Sequence, residues 1–276
     1  PSNVFALMSY LNREQYGDRP LLYGQYYNAP VASSENKTTF IPKNGKYVQT
    51  YLKTVYKFDD RFQTLFPRMW SPSDEHADEY KKWANIVGTP ERVTTQNGEQ
   101  EIRNVPTFTE NLRYFISYQM GFMYWRYFMW NFVGRQDDIQ SQGGLLNGNW
   151  ISGIKPIDAI HLGNQDKLTS EQLNQIGRNK YFFLPLILGL FGLGYQFLRD
   201  KKNLTVVSLL FILTGIAIVV YLNQYPLQPR ERDYAFAGSF YAFAIWVGLG
   251  VLAVSENLSK FLQPKGSASI ASLLCL

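Results

Sequence analysis

The sequence has one cysteine, Cys275, and two histidines, His76 and His161, among 276 residues. A single thiol excludes any disulfide within the chain and leaves the redox compartment open. The histidines are far apart, with no cysteine beside them and no His-Glu spacing, so they read as surface residues rather than zinc ligands. No metal and no cofactor is expected. Also missing is any run rich in Lys and Arg. The net charge of +5 is thinly spread, and nucleic acid is not an expected partner. No signal-peptide pattern follows Pro1, and the closing apolar run SASIASLLCL is too short for a bilayer, which needs about 20 residues. Both ends are therefore expected to be cut from a longer membrane protein.

Apolar sequence is plentiful, but only in one part of the chain. A mean hydropathy of −0.21 averages a polar, Tyr-rich stretch, 1–180, with an apolar one, 181–276. Three uncharged segments stand out: YFFLPLILGLFGLGYQFL (181–198), LTVVSLLFILTGIAIVVYL (204–222) and AFAGSFYAFAIWVGLGVLAV (235–254). At a rise of about 1.5 Å per residue each covers roughly 30 Å, and none has a polar face. They are predicted to be transmembrane helices, with a fourth starting at 267. Gly189, Gly192, Gly194, Gly248 and Gly250 read as faces for close helix packing. Arg199, Asp200, Lys201 and Lys202 follow the first span, and Lys260 and Lys265 follow the third. The positive-inside rule places those loops in the cytoplasm and the loop 223–234 outside, with the residues before 181.

That outer loop, NQYPLQPRERDY, crowds Arg230, Glu231, Arg232 and Asp233 between two spans. An arginine near a membrane surface offers a planar fork of donors suited to a phosphate or carboxylate. Pro226 and Pro229 stiffen the loop, which favours a positioned site. Two readings stand at this point. Arg230 and Arg232 bind the phosphate of a lipid head group, or they pair internally with Glu231, Asp233 or acids elsewhere to close the turn.

The polar part reads as small elements joined by turns. Residues 2–14 form a helix capped near Ser2. Asn44-Gly45 and Asn97-Gly98 each join two strands as a hairpin. Ser73 caps a helix that Gly88 ends. No Gly-rich phosphate loop, nucleophile elbow or paired-carboxylate pattern occurs in this region. Thr107 and Glu110 form a capping box that opens TFTENLRYFISYQMGFMYWRYFMWNFVG, a stretch dominated by Tyr, Phe and Trp with Arg126 inside it. Such rings favour the head-group level of a bilayer, so the stretch is predicted to lie along the outer membrane surface. The rival is a true span with a buried Arg126. Arg135, Asp137 and Asp138 follow. The paired acids suit a base or metal ligands, or an ordinary turn or helix cap. Thr169 and Gln172 open a short helix leading to the first span.

Four stretches together carry a resemblance: NREQYGDRPLLYGQYYNAPV, FMYWRYFMWNFVGRQDDIQ, GNWISGI and QPRERDYAFAGSFYAFAIWVGLGV. They resemble the large multi-spanning membrane proteins of Bacteroidota described as protein O-mannosyltransferase-like, which are grouped with the polytopic GT-C glycosyltransferases. The resemblance implies that this chain is the middle of such a protein. The family's presumed catalytic carboxylate would lie upstream, so no residue here is assigned as catalytic.

The expected fold is a mainly α membrane protein, with transmembrane helices, a small extramembrane α+β region and an aromatic interfacial helix. Its parts are a periplasmic region, 1–113, an interfacial helix and loop region, 114–180, and the membrane helices, 181–276. The expected function is transfer of a sugar, mannose by the resemblance, from a polyprenyl-phosphate donor to an acceptor protein's hydroxyl at the periplasmic face of a bacterial inner membrane. Arg230 and Arg232 would hold the donor phosphate, supported by Glu231, Asp233 and Tyr234. Trp125, Arg126, Arg135, Asp137 and Asp138 are the acceptor- or sugar-facing candidates. The alternative is a transporter or envelope scaffold in which the charged loop is a salt-bridged latch between helices.

Overall fold

A computed structural model describes residues 19–94 and 98–260, with positions 4, 7 and 10 before them. Of the expected helix over 2–14 only Val4, Leu7 and Tyr10 are described, all three helical, and the turn residue Asn97 and the start of a fourth span at 267 lie outside the described residues. The chain divides into two compact units, 1–117 with 223–227, and 118–222 with 228–276.

In the first unit, β1 (Tyr23–Gln25) runs antiparallel to a later short strand, and β2 (Val31–Lys43) pairs with β3 (Lys46–Phe58) in a long hairpin. Its turn is Asn44-Gly45, with φ of 50° and 73°. A two-residue hairpin turn needs both positions left-handed, which suits Asn and Gly. The partner of β1 is β4 (Gln63–Leu65). Helix α1 (Asp74–Ala84) starts after Ser73, whose side chain makes no cap bond, and stops at left-handed Asn85. Gly88 is therefore not its end. With φ +69° and backbone of Asn104 and Val105 where a Cβ would stand, Gly88 makes the turn into β5 (Thr89–Thr94), which pairs with β6 (Gln100–Val105).

The capping box at the start of α2 (Phe108–Tyr114) forms with both of its bonds. Glu110 also accepts from the N–H groups of Val87, at 2.7 Å, and Gly88, at 3.1 Å. One carboxylate thus fixes both a helix start and the turn before β5. Burial works to raise its pKa, and the N–H groups of Thr107, Val87 and Gly88 outweigh it, holding the carboxyl below its ordinary value. The core of this unit gathers Phe62, Met69, Tyr80, Ala84 and Tyr114. Arg68 lies in it, 3.8 Å over the Phe66 ring, and burial pulls its pKa down to about 10.

The second unit starts within a π-helix (Phe115–Trp125) that runs into α3 (Arg126–Phe132). Strand β7 (Gly134–Arg135) pairs with β8 (Asn179–Lys180), and between them lie α4 (Lys155–Leu162) and the single turn α5 (Ser170–Leu173). Then come α6 (Leu184–Arg199), α7 (Lys201–Thr214), α8 (Ile216–Leu222) and α9 (Ala237–Leu258). Helices α6 and α9 meet backbone to backbone. A Cβ on Gly192 would strike the Trp246 carbonyl, and one on Gly250 the Leu188 carbonyl.

The architecture overturns the mainly α expectation. The chain is mixed α+β, about 51% helix and 18% strand. Among the described residues two helices are long and apolar enough to cross a membrane, Lys201–Leu222 and Asp233–Leu258. The first predicted span is a helix of 16 residues, Leu184–Arg199, about 24 Å long. Its start is delayed because Phe182 and Phe183 take left-handed φ of 51° and 62° after β8. Nor does the aromatic stretch lie along a surface. Tyr118, Phe122, Tyr124, Tyr127, Phe128, Trp130 and Phe132 are buried. Phe128 and Phe132 meet Phe243 of α9 at ring distances of 4.8 and 4.5 Å. The rings that suit a membrane interface are satisfied here by protein packing.

Between α7 and α8 the helix breaks at Gly215. A Cβ there would collide with the hydroxyls of Ser239 and Tyr124. Ser239 Oγ donates to the Phe211 carbonyl at 2.9 Å and lies 2.7 Å from the Tyr124 hydroxyl. The break frees a carbonyl, and a side chain from α9 satisfies it.

Candidate anion site on the loop 228–234

The expected outer loop is divided between the units. Asn223–Leu227 belongs to the first. There Asn223 Nδ2 donates to the carbonyls of Pro20, at 2.8 Å, and Pro67, at 2.9 Å, while its own carbonyl accepts from Trp70 Nε1. Tyr225 stacks on His76, whose Nδ1 lies 2.8 Å from Ser71 Oγ. Burial lowers the His76 pKa, against the field of Glu75. His161 stacks on Trp150 at 3.9 Å. Both histidines are thus half-buried and packed on an aromatic ring rather than free on the surface.

The charged part, from Gln228 onward, belongs to the second unit. Its anchor is Glu231, which takes Arg126 as a two-pronged partner. Arg126 Nη2 donates to Oε2 at 2.7 Å, and Nη1 to Oε1 at 3.2 Å. The side chains are 4% and 17% exposed, so this is a buried pair. Arg126 also donates to the carbonyls of Phe122 and Gly148, at 3.0 and 2.6 Å, and lies 4.0 Å over the Phe122 ring. Glu231 accepts further bonds from the Tyr127 hydroxyl and from the Ser141 N–H. The Tyr127 oxygen in turn accepts from the Arg232 N–H at 3.0 Å. Burial works to raise the Glu231 carboxyl, but Arg126, Tyr127 and Ser141 outweigh it and hold it below its ordinary value. Burial pushes the Tyr127 hydroxyl up, with Glu231 adding to the shift and Arg126 opposing it.

The arginines on either side of Glu231 are placed differently. Arg230 is exposed, 5.8 Å over the Tyr234 ring, and is joined to no carboxylate among the described residues. Arg232 is half-buried, also without a carboxylate partner among them, and its Nε is buried with no hydrogen bond. Internal pairing of the loop therefore falls on Glu231 and not on its arginines. Asp233 opens the turn that leads into α9, and Tyr234 is exposed. Beside Arg230 lies a recess of about 10 Å³, lined by Tyr118, Phe122, Gln140, Gln142 and Glu231 among others. It has room for about one water. A phosphate does not fit in it.

The remaining candidates do not converge on this loop. Trp125 is exposed, its ring against Tyr124 and Phe128. Arg135 stacks on Trp130 at 4.1 Å and pairs with Asp138 at 2.9 Å. Asp137 is buried and accepts from the N–H groups of Ile139 and Gly148, a turn-closing role. Tyr127 and Ser141 were missed by sequence reasoning, and nothing in the pattern around Ser141 would have marked it.

Residues 17–116 match a family of unknown function, DUF8416. No curated protein and no solved structure matches the chain.

Proposed function

We propose that the loop 228–234 holds the phosphate of a lipid-linked sugar at a membrane surface. The chain is then part of a membrane glycosyltransferase that passes the sugar to a protein hydroxyl at the periplasmic face of a bacterial inner membrane. One observation carries the reading. Glu231 is consumed by Arg126 and Tyr127, whereas Arg230 and Arg232 keep guanidinium groups with no carboxylate partner among the described residues. The two membrane-capable helices support the location, because the second begins at Asp233, the residue after Arg232, and only 11% and 39% of the two apolar windows are buried within the protein.

In this scheme the sugar–phosphate bond breaks with its electron pair moving to the phosphate oxygen. Arg230 and Arg232 stabilise the charge that grows there, and the N-terminus of the following helix adds to their field. The acceptor's proton goes to a carboxylate outside this chain, since Asp137 and Asp138 are committed to a turn and an ion pair.

The test is chemical. In the detergent-solubilised chain, phenylglyoxal modifies accessible arginines, read by peptide mass spectrometry. A short-chain polyprenyl phosphate should protect Arg230 and Arg232 but leave Arg199 unprotected. Equal modification with and without the lipid phosphate would refute the site. A second reading is favoured by the Arg126–Glu231 pair itself, namely a salt-bridged latch in a scaffold or transporter. That reading predicts no protection at either arginine.

A further inference from the structure

The β2–β3 hairpin lies in the first unit and owes nothing to the loop just described. It is 13 residues along each strand and pairs with no other strand among the described residues. From Val31 to Gln49 every side chain with a defined environment is exposed. A lone two-stranded hairpin is marginal in water, so a long exposed one is expected to be held against something.

The register sorts its charges. Between Thr38↔Leu52 and Phe40↔Gln49, β3 carries one residue more than β2, so β2 itself alternates regularly from Ser33 to Lys43. Glu35, Lys37, Ile41 and Lys43 therefore share one face, and their cross-strand partners share it with them. Val48 stands opposite Ile41, and Lys46 opposite Lys43. Lys57, in register with Ser33, joins the same face and is neutralised by Glu35. The other face carries no charge at all, and Asn36, Thr38, Phe40, Tyr47, Gln49 and Tyr56 lie on it.

All the charge is thus on one face, and three lysines there, Lys37, Lys43 and Lys46, form no ion pair among the described residues, although Lys37 acts on Glu35 through its field. Lys43 and Lys46 stand directly opposite each other, an arrangement that repels unless an anion is shared between them. We infer that this face docks on an anionic lipid surface. Ile41 and Val48 sit between the lysines on the same face. Against a bilayer they enter the head-group boundary while the lysine stems reach the phosphates. Against nucleic acid that apolar pair would lie on a charged backbone. The hairpin also has no arginine, the residue that grips nucleic-acid phosphates two-pronged.

The test uses the full chain held in zwitterionic nanodiscs and mixed with sucrose-loaded vesicles, either zwitterionic or with about a third anionic lipid. The chain should sediment with the anionic vesicles only, and less at high salt. Each lysine near an anionic surface is worth about fivefold in binding, so the triple variant K37Q/K43Q/K46Q should bind about a hundredfold more weakly. These positions are exposed, so the variant should keep the wild-type Tm. Equal sedimentation of variant and wild type, or no sedimentation of wild type with anionic vesicles, would overturn the inference. So would tighter binding to an oligonucleotide than to the vesicles.

Discussion

Replacing Glu231 by Gln keeps the shape and an acceptor oxygen for one of Tyr127 and Ser141, which bond to different carboxylate oxygens, but removes the charge that neutralises Arg126. The guanidinium is 4% exposed and cannot turn to water. Breaking a buried pair by removing one partner costs about 3–5 kcal/mol, because the other charge stays buried. The lower end applies here. The Phe122 and Gly148 carbonyls and the Phe122 ring still hold Arg126, and Glu231 itself was not wholly dry. At roughly 2–4 °C per kcal/mol for chains of about this size, E231Q should lower Tm by about 6–12 °C. The assay is unfolding in detergent followed by tryptophan fluorescence. In the double variant R126M/E231Q the lone charge is gone, so about half of the E231Q loss should return, and the double variant should lose clearly less than the sum of R126M and E231Q measured alone. Since the folded carboxyl lies below its ordinary value of 4.5, its contribution is full above pH 4.5. It is lost as pH falls through the lower folded value. Wild type should therefore lose stability on acidification below pH 4.5, and E231Q should lose less. An E231Q variant within about 1 kcal/mol of wild type, or losses that simply add in the double variant, would refute the buried-pair reasoning.

Three further perturbations probe the frame around the site. Gly192→Ala places a methyl on the Trp246 carbonyl, which cannot swing aside, so α6 and α9 must separate at a cost of about 1–3 kcal/mol, seen in Tm. Thr107→Ala should cost about 1 kcal/mol as a lost cap, whereas Glu110→Ala should cost more, since it strands the N–H groups of Val87, Gly88 and Thr107 together. A cysteine at exposed Pro229, with Cys275 replaced by Ser, should react in intact cells with a thiol reagent that cannot cross the inner membrane. Protection until that membrane is opened would place the loop on the cytoplasmic side and remove the proposed function.

Local signals carried much of the fold. The Thr107–Glu110 capping box, the Asn44-Gly45 turn and the close helix approach at Gly192 and Gly250 each depend on neighbours a few residues away or on the small size of one residue. The apolar stretches at 204–222 and 235–254 also became helices long enough to span. The stretch at 181–198 was misread because hydropathy does not register that Phe182 and Phe183 leave the helical region. The aromatic stretch was misread for a related reason. Tyr and Trp suit a membrane interface and a mixed protein core equally well, and only the position of Phe240 and Phe243 decides between them. Of the candidate site, the four charges of the loop were legible, but the partner of Glu231 was not. Arg126 lies 105 residues earlier, and a single sequence holds no record of such a pairing.

The most direct measurement is calorimetric titration of a short-chain polyprenyl phosphate into the chain in nanodiscs, comparing wild type with R230Q/R232Q. The account predicts that the double variant keeps its Tm, because neither arginine closes the loop, and loses at least tenfold in affinity, about 1.4 kcal/mol. Equal affinity with an equal Tm would mean that these two guanidinium groups hold no phosphate. The loop would then be a latch and nothing more.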